Sequence, residues 1–117
     1  MKKYLYILLF LLLCSTLSAQ LPNHNIHLIA NLNNYPAYSA LWGYTDTDGN
    51  EYAILGCSNG TSIVNITDSS NVHEVGFIPG PISGWREMKT YSHYAYVVSE
   101  GTNSRLQIID LQYLPDS

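Results

Sequence analysis

The sequence predicts an all-β chain: a partial β-propeller of about two four-stranded antiparallel blades in an incomplete ring. Three observations carry this expectation. Two stretches repeat one another at a spacing of 46 residues, Asn25 to Asn71, which is the length of one propeller blade. Each unit holds short runs rich in β-branched or aromatic residues. Gly, Asn, Ser and Asp separate those runs, as tight turns between strands require.

The repeat can be followed residue by residue. Asn25, Ile26, His27, Ile29 and Leu32 are answered by Asn71, Val72, His73, Val75 and Ile78. Ala40, Leu41 and Tyr44 return as Glu87, Met88 and Tyr91; Tyr52 to Leu55 returns as Tyr94 to Val97; Ile63 to Ile66 returns as Ile108 to Leu111. In a propeller the outermost strand of one blade leads into the innermost strand of the next. Tyr38–Tyr44 is therefore the expected innermost strand, with Tyr52–Gly56, Ser62–Ile66 and Val75–Ile78 stepping outward. A second blade runs through Trp85–Tyr91, Tyr94–Ser99 and Leu106–Leu111, and its outer strand is wanting. Ile26–Leu32 is then a strand without its own blade, suited to close a ring from the N-terminus. The units span about 25–70 and 71–115 of a segment covering residues 20–117. Propellers close with about 4 to 8 blades, so the chain reads as the N-terminal part of a longer protein, with the remaining blades as its first expected partner.

The N-terminus has its own logic. Lys2 and Lys3 form a basic start, Tyr4–Leu13 is an apolar run too short to span a bilayer, and Ser15–Gln20 is small and polar. Residues 1–19 thus read as a secretory signal peptide with Ala19 the last residue removed, which places the mature chain outside the cell or on its surface. Leu17 fits the cleavage preference poorly, leaving neighbouring bonds open. Cys14 offers an alternative, a lipidated thiol, although Leu13 stands where such sites take Gly, Ala or Ser. Beyond the leader only Cys57 remains, so no intrachain disulfide forms. The full chain carries a formal charge of −4, and −6 once Lys2 and Lys3 are gone. Arg86, Lys89 and Arg105 make no basic patch for phosphate backbones, which excludes nucleic acid as the expected partner.

Three places group side chains able to do chemistry. Gly56-Cys57-Ser58-Asn59-Gly60 matches the hydrolase elbow pattern, but an elbow needs a helix next, and Thr61–Ile66 reads as strand; a hairpin turn is expected, and no catalytic residue is assigned. Asp46, Asp48 and Asn50 alternate as calcium-loop ligands do, with Glu51 and Cys57 where that loop wants Gly and a carboxylate; the competing reading is a hairpin turn at Asp48-Gly49. Trp85, Arg86 and His93, near Lys89 and Glu100, form the densest cluster. A stacking aromatic beside a guanidinium suits a carbohydrate, carboxylate or peptide group at a channel rim. Against it stands packing: Trp85 between blades, Arg86 paired with Glu87 or Asp110, His93 capping a turn. His24, His27 and His73 lack metal-ligand spacing, and Asn59 and Asn65 begin glycosylation sequons.

Taken together, Tyr38-Ser-Ala-Leu-Trp42-Gly-Tyr44, Glu51-Tyr-Ala-Ile-Leu-Gly56, Gly60-Thr-Ser-Ile-Val-Asn-Ile-Thr-Asp68, Trp85-Arg-Glu-Met-Lys-Thr-Tyr91 and His93-Tyr-Ala-Tyr-Val-Val-Ser-Glu-Gly101 resemble the N-terminal part of the choice-of-anchor B proteins. These are secreted bacterial proteins built from LVIVD repeats. The resemblance covers essentially all of the mature chain. It implies a propeller that continues for several repeats, often followed by a C-terminal anchoring tail, expected beyond Ser117 if the chain is a fragment, and it brings no catalytic residues with it. The expected function is an exported non-enzymatic module for binding or scaffolding, with an extracellular protein or carbohydrate as partner. The alternative is a part of an extracellular enzyme whose active site lies at the channel mouth.

Overall fold

A computed structural model describes residues 25–116. The expected signal peptide, Cys14 and His24 lie outside the described residues. Within them the chain is all-β, with seven strands and no helix: β1 (Tyr38–Thr45), β2 (Glu51–Cys57), β3 (Gly60–Asn65), β4 (His73–Pro79), β5 (Arg86–Tyr91), β6 (Tyr94–Ser99) and β7 (Gln107–Asp110). They form two antiparallel meanders, a four-stranded sheet β1-β2-β3-β4 and a three-stranded sheet β5-β6-β7. Seven of the eight expected runs lie on strands, with ends within two residues; β3 and β4 begin at Gly60 and His73, ahead of Ser62 and Val75, and Trp85 stands just before β5.

Ile26–Leu32 is the correction. It joins neither sheet, and Leu28 is 83% exposed. An alternating pattern makes a strand only where an open edge supplies hydrogen bonds and a face supplies burial, and these residues find neither. Just after it the chain is fastened by aromatics. Tyr35 stacks on Phe77 at 4.7 Å and donates its hydroxyl to Glu74 at 2.7 Å, while Tyr38 donates its hydroxyl to the Leu32 carbonyl at 3.2 Å.

The registers make the repeat geometric. On the first sheet Ile54 pairs with Trp42 and Ile63, and Tyr52 with Tyr44 and Asn65; on the second Tyr96 pairs with Lys89 and Ile108, and Tyr94 with Tyr91 and Asp110. Ile54 therefore corresponds to Tyr96, Ile63 to Ile108, and Cys57, opposite Tyr38, to Ser99, opposite Arg86. The units differ by a bulge in β1 between Tyr38 and Leu41.

The sheets pack face to face, with β5 against β1 and β2. Tyr52, Ile54 and Ile63 of the first sheet meet Met88, Ala95 and Val97 of the second, closed by Leu111. Alternation puts Arg86 on the same side as Met88, and Arg86 is 1% exposed. Its Nε donates to the Cys57 carbonyl at 3.1 Å and a terminal nitrogen donates to the Pro81 carbonyl at 2.7 Å, with Gln107 Oε1 at 3.5 Å. No carboxylate pairs with it among the described residues. Glu87, the expected partner, points to the opposite face, and Asp110 lies at the far end of the hairpin, opposite Tyr94. Burial lowers the Arg86 pKa from its ordinary value.

Glycine makes this seat. A Cβ on Gly56 would lie 2.8 Å from the Arg86 carbonyl oxygen and 3.2 Å from Arg86 Cβ, and one on Gly80 would lie 2.7 Å from the guanidinium. Above Gly56, Ser39 Oγ accepts from the Arg86 N–H at 3.2 Å and stands 3.3 Å from the Gly56 and Arg86 carbonyls. The β4–β5 connection is tied to both hairpins by Ser83. Its N–H donates to the Ser58 carbonyl at 2.9 Å, and its hydroxyl accepts from Glu100 N–H at 3.2 Å.

Arg86→Met keeps most of the volume but leaves the Cys57 and Pro81 carbonyls without their donor, at an expected cost of about 2 kcal/mol or more. For a domain of this size that lowers Tm by roughly 10 °C or more. Arg86→Lys recovers only part of the loss, because an ammonium cannot span the diverging acceptors that a planar fork reaches. Thermal melts of the two variants test this; unchanged melting of Arg86→Met contradicts it.

Candidate functional site

The expected rim cluster is divided by the structure. Trp85 lies at the entrance to β5 and is 65% exposed, so it does not pack between the sheets. Arg86 follows it into the interior. His93 sits in the β5–β6 turn, at the other end of a six-residue strand and so about 20 Å away. There Ser92 adopts a positive φ of 54°, Ser92 Oγ and His93 Nδ1 stand 3.2 Å apart, and His93 Nε2 is 3.9 Å from Asp110 Oδ1. His93 therefore belongs to a turn, with its ring against Tyr94 at 4.1 Å.

What remains around Trp85 is a shallow cavity of about 170 Å³, lined by Trp85, Arg86, Glu87, Val98, Ser99 and Glu100. Pockets for drug-sized ligands begin near roughly 300 Å³, so this one suits a single head group. The Arg86 guanidinium is turned inward to its carbonyl acceptors, which leaves Trp85, Glu87 and Glu100 as the exposed chemistry of the rim. The arrangement is an aromatic face beside two carboxylates, and its electrostatics favour a cation. The Arg86 charge suggests a rim site; its parity with apolar Met88, two residues on, is the signal that places it in the core.

A cation over an aromatic already occurs at the sheet junction. Lys89 Nζ lies 3.5 Å from the Trp42 ring centroid, and Trp42 Nε1 donates to Thr90 Oγ1 at 3.0 Å. Strands β1 and β5 are thereby linked through side chains as well.

Asp46, Asp48 and Asn50 form the β1–β2 loop. Asp46 Oδ1 accepts from the Asp48 and Asn50 N–H groups at 2.9 and 2.8 Å, and Oδ2 accepts from Asn50 Nδ2 at 2.8 Å and Tyr52 Oη at 3.2 Å. Gly49, at φ 87°, turns the chain through the left-handed region. Both Asp46 oxygens thus organise the hairpin, and hydrogen bonding, led by Asn50, holds the carboxyl below its usual pKa. Burial and the Asp46 charge push Tyr52 up to about 12. No group of three or more His, Cys, Asp or Glu side chains is placed to hold a metal among the described residues.

Ser58 lies in the two-residue turn between β2 and β3, with strand on both sides. It lacks the strand-to-helix geometry of a nucleophile elbow. Cys57 is free and buried, and burial raises its thiol pKa. Of the sequon residues, Asn59 has its Oδ1 buried, and Asn65 Oδ1 accepts from Thr67 N–H at 3.0 Å. No helix among the described residues is long and apolar enough to cross a membrane.

No family model, no curated protein and no solved structure matches the chain.

The Asp46 loop gives a pH test. A carboxyl whose folded pKa is depressed stabilises the fold above its unfolded value, 3.8, and that contribution is lost as pH falls through the lower folded value. Asp46→Asn is expected to lower Tm clearly at pH 6 and much less at pH 2.5. Equal loss at both pH values rules out the carboxylate as the organiser of the turn.

Proposed function

We propose that the chain is an exported, non-enzymatic module of β-propeller type, akin to the choice-of-anchor B proteins, that binds or scaffolds at the cell exterior. The observation that carries this reading is the outward face of β5-β6-β7. Its Tyr94, Tyr96 and Ile108 correspond, pair by pair, to Tyr52, Ile54 and Ile63, the residues that the first sheet buries beneath the second. On the second sheet Ile108 is 59% exposed, Tyr94 and Tyr96 are half-buried, and Tyr91 beside Tyr94 is 78% exposed. A face with the pattern of an interior and the exposure of a surface is a docking face, and beside it β7 is the edge strand of its sheet among the described residues. Further sheets of the same repeat would cover both.

Two antiparallel meanders joined outer strand to inner strand also support the propeller reading, because that is the order in which blades follow one another. The export reading rests on residues 1–19.

Sedimentation measurements on residues 20–117 test the docking face. The expected result is concentration-dependent association, with Ile108→Glu raising the midpoint concentration by at least about tenfold, the effect of losing a central apolar anchor. A cooperative monomer at all concentrations would sink the reading.

A further inference from the structure

The cavity beside Trp85 has a counterpart on the first sheet, and there it is filled. Register places Val98 and Ser99 where the first sheet has Gly56 and Cys57. The turn residues correspond as well: Ser58 N–H donates to the Ala37 carbonyl at 3.0 Å, and Glu100 N–H donates to the Trp85 carbonyl at 3.3 Å. On the first sheet the occupant is an arginine. Arg86 lies over Gly56, gives its Nε to the Cys57 carbonyl and is preceded by Ser83, whose N–H binds the Ser58 carbonyl.

We infer that the cavity lined by Trp85, Arg86, Glu87, Val98, Ser99 and Glu100, with the Arg86 guanidinium turned away to the Cys57 and Pro81 carbonyls, is a guanidinium seat, built to receive an arginine side chain carried on an extended strand of a partner. The inference deepens the binding reading above and rests on it, in that it names the side chain the docking face selects.

Two departures between the seats define the ligand further. Val98 replaces Gly56, where even a Cβ would crowd the Arg86 backbone. The incoming strand therefore stands farther off than β5 does from β2, and only the tip of a long side chain reaches the Ser99 carbonyl. The second departure is charge. The first seat is closed and uses neutral carbonyl acceptors; the second is open, and sets Glu87 and Glu100 where the first has Ala40 and Ser58. Neither carboxylate has an ion-pair partner among the described residues. A half-solvated guanidinium gains from carboxylates placed to accept its forked donors, and the exposed ring of Trp85 offers its face to the same cation. A lysine would meet the charge without the fork. A neutral side chain of the same length would meet neither.

Titrating acetyl-arginine amide, and its lysine and citrulline analogues, into the chain tests the seat, with the two indole N–H signals followed by proton–nitrogen NMR. The arginine compound is expected to shift the Trp85 signal while Trp42, held by Thr90 and Lys89, stays in place. Citrulline, isosteric but uncharged, should bind at least about tenfold more weakly, and E87Q and E100Q should each weaken arginine binding by about threefold or more. Both substitutions are at exposed positions and leave the core intact. Equal shifts with citrulline, no Trp85 shift with arginine, or unchanged binding in both variants would overturn the proposal. The readout needs no association between chains, so its failure is distinguishable from failure of the sedimentation test.

Discussion

The structure depends on a buried cation that has no counter-ion among the described residues. Arg86 enters the space between two sheets, and the carbonyls of Cys57 and Pro81 take its donors. Removing a guanidinium from water costs several kcal/mol, and neutral acceptors return that only if their geometry is fixed. Here it is fixed from three sides. Cys57 ends β2, Pro81 lies on the connection that Ser83 holds, and Gly56 lets the β5 backbone come close enough for Ser39 to bridge it. The apolar core of Tyr52, Ile54, Ile63, Met88, Ala95 and Val97 supplies most of the attraction between the sheets. Arginine decides how they sit, because hydrogen bonds are directional and apolar contacts are not.

That division explains what was legible in the residues. Strand runs announced themselves through β-branched and aromatic content and through their turns, so all seven were placed within a residue or two. Ile26–Leu32 carries the same pattern and forms no strand, because a pattern describes a face and says nothing of whether a neighbour exists to cover it. His93 was grouped with Trp85 and Arg86 by nearness in sequence. A hairpin strand separates residues in space faster than a helix does, and six residues set them at opposite ends. The role of Arg86 was missed for another reason: charge suggested surface, whereas parity with Met88 pointed inside. Asp46, Asp48 and Asn50 show how one alternation serves two ends, since the spacing that offers oxygens to a cation also offers one carboxylate to its own backbone.

The surface divides in a related way. The inward face of β5-β6-β7 is closed by the first sheet, while the outward face repeats the first sheet's interior with Tyr96 and Ile108 in place of Ile54 and Ile63. At its head the chemistry changes from neutral to acidic, through Glu87 and Glu100. In the proposed binding role, apolar area there would provide attraction and the carboxylates discrimination, the division of labour common to protein interfaces.

The bulge in β1 has a consequence for the order of the two copies. One additional residue between Tyr38 and Leu41 changes which side chain addresses the neighbouring unit, and Ser39 occupies that position. β5 has no such insertion. The two copies are therefore not interchangeable modules: exchanging their order would present a tyrosine where a guanidinium is needed and would bring a valine against a backbone that tolerates only glycine. The local sequence of each sheet thus fits only its own place in the chain.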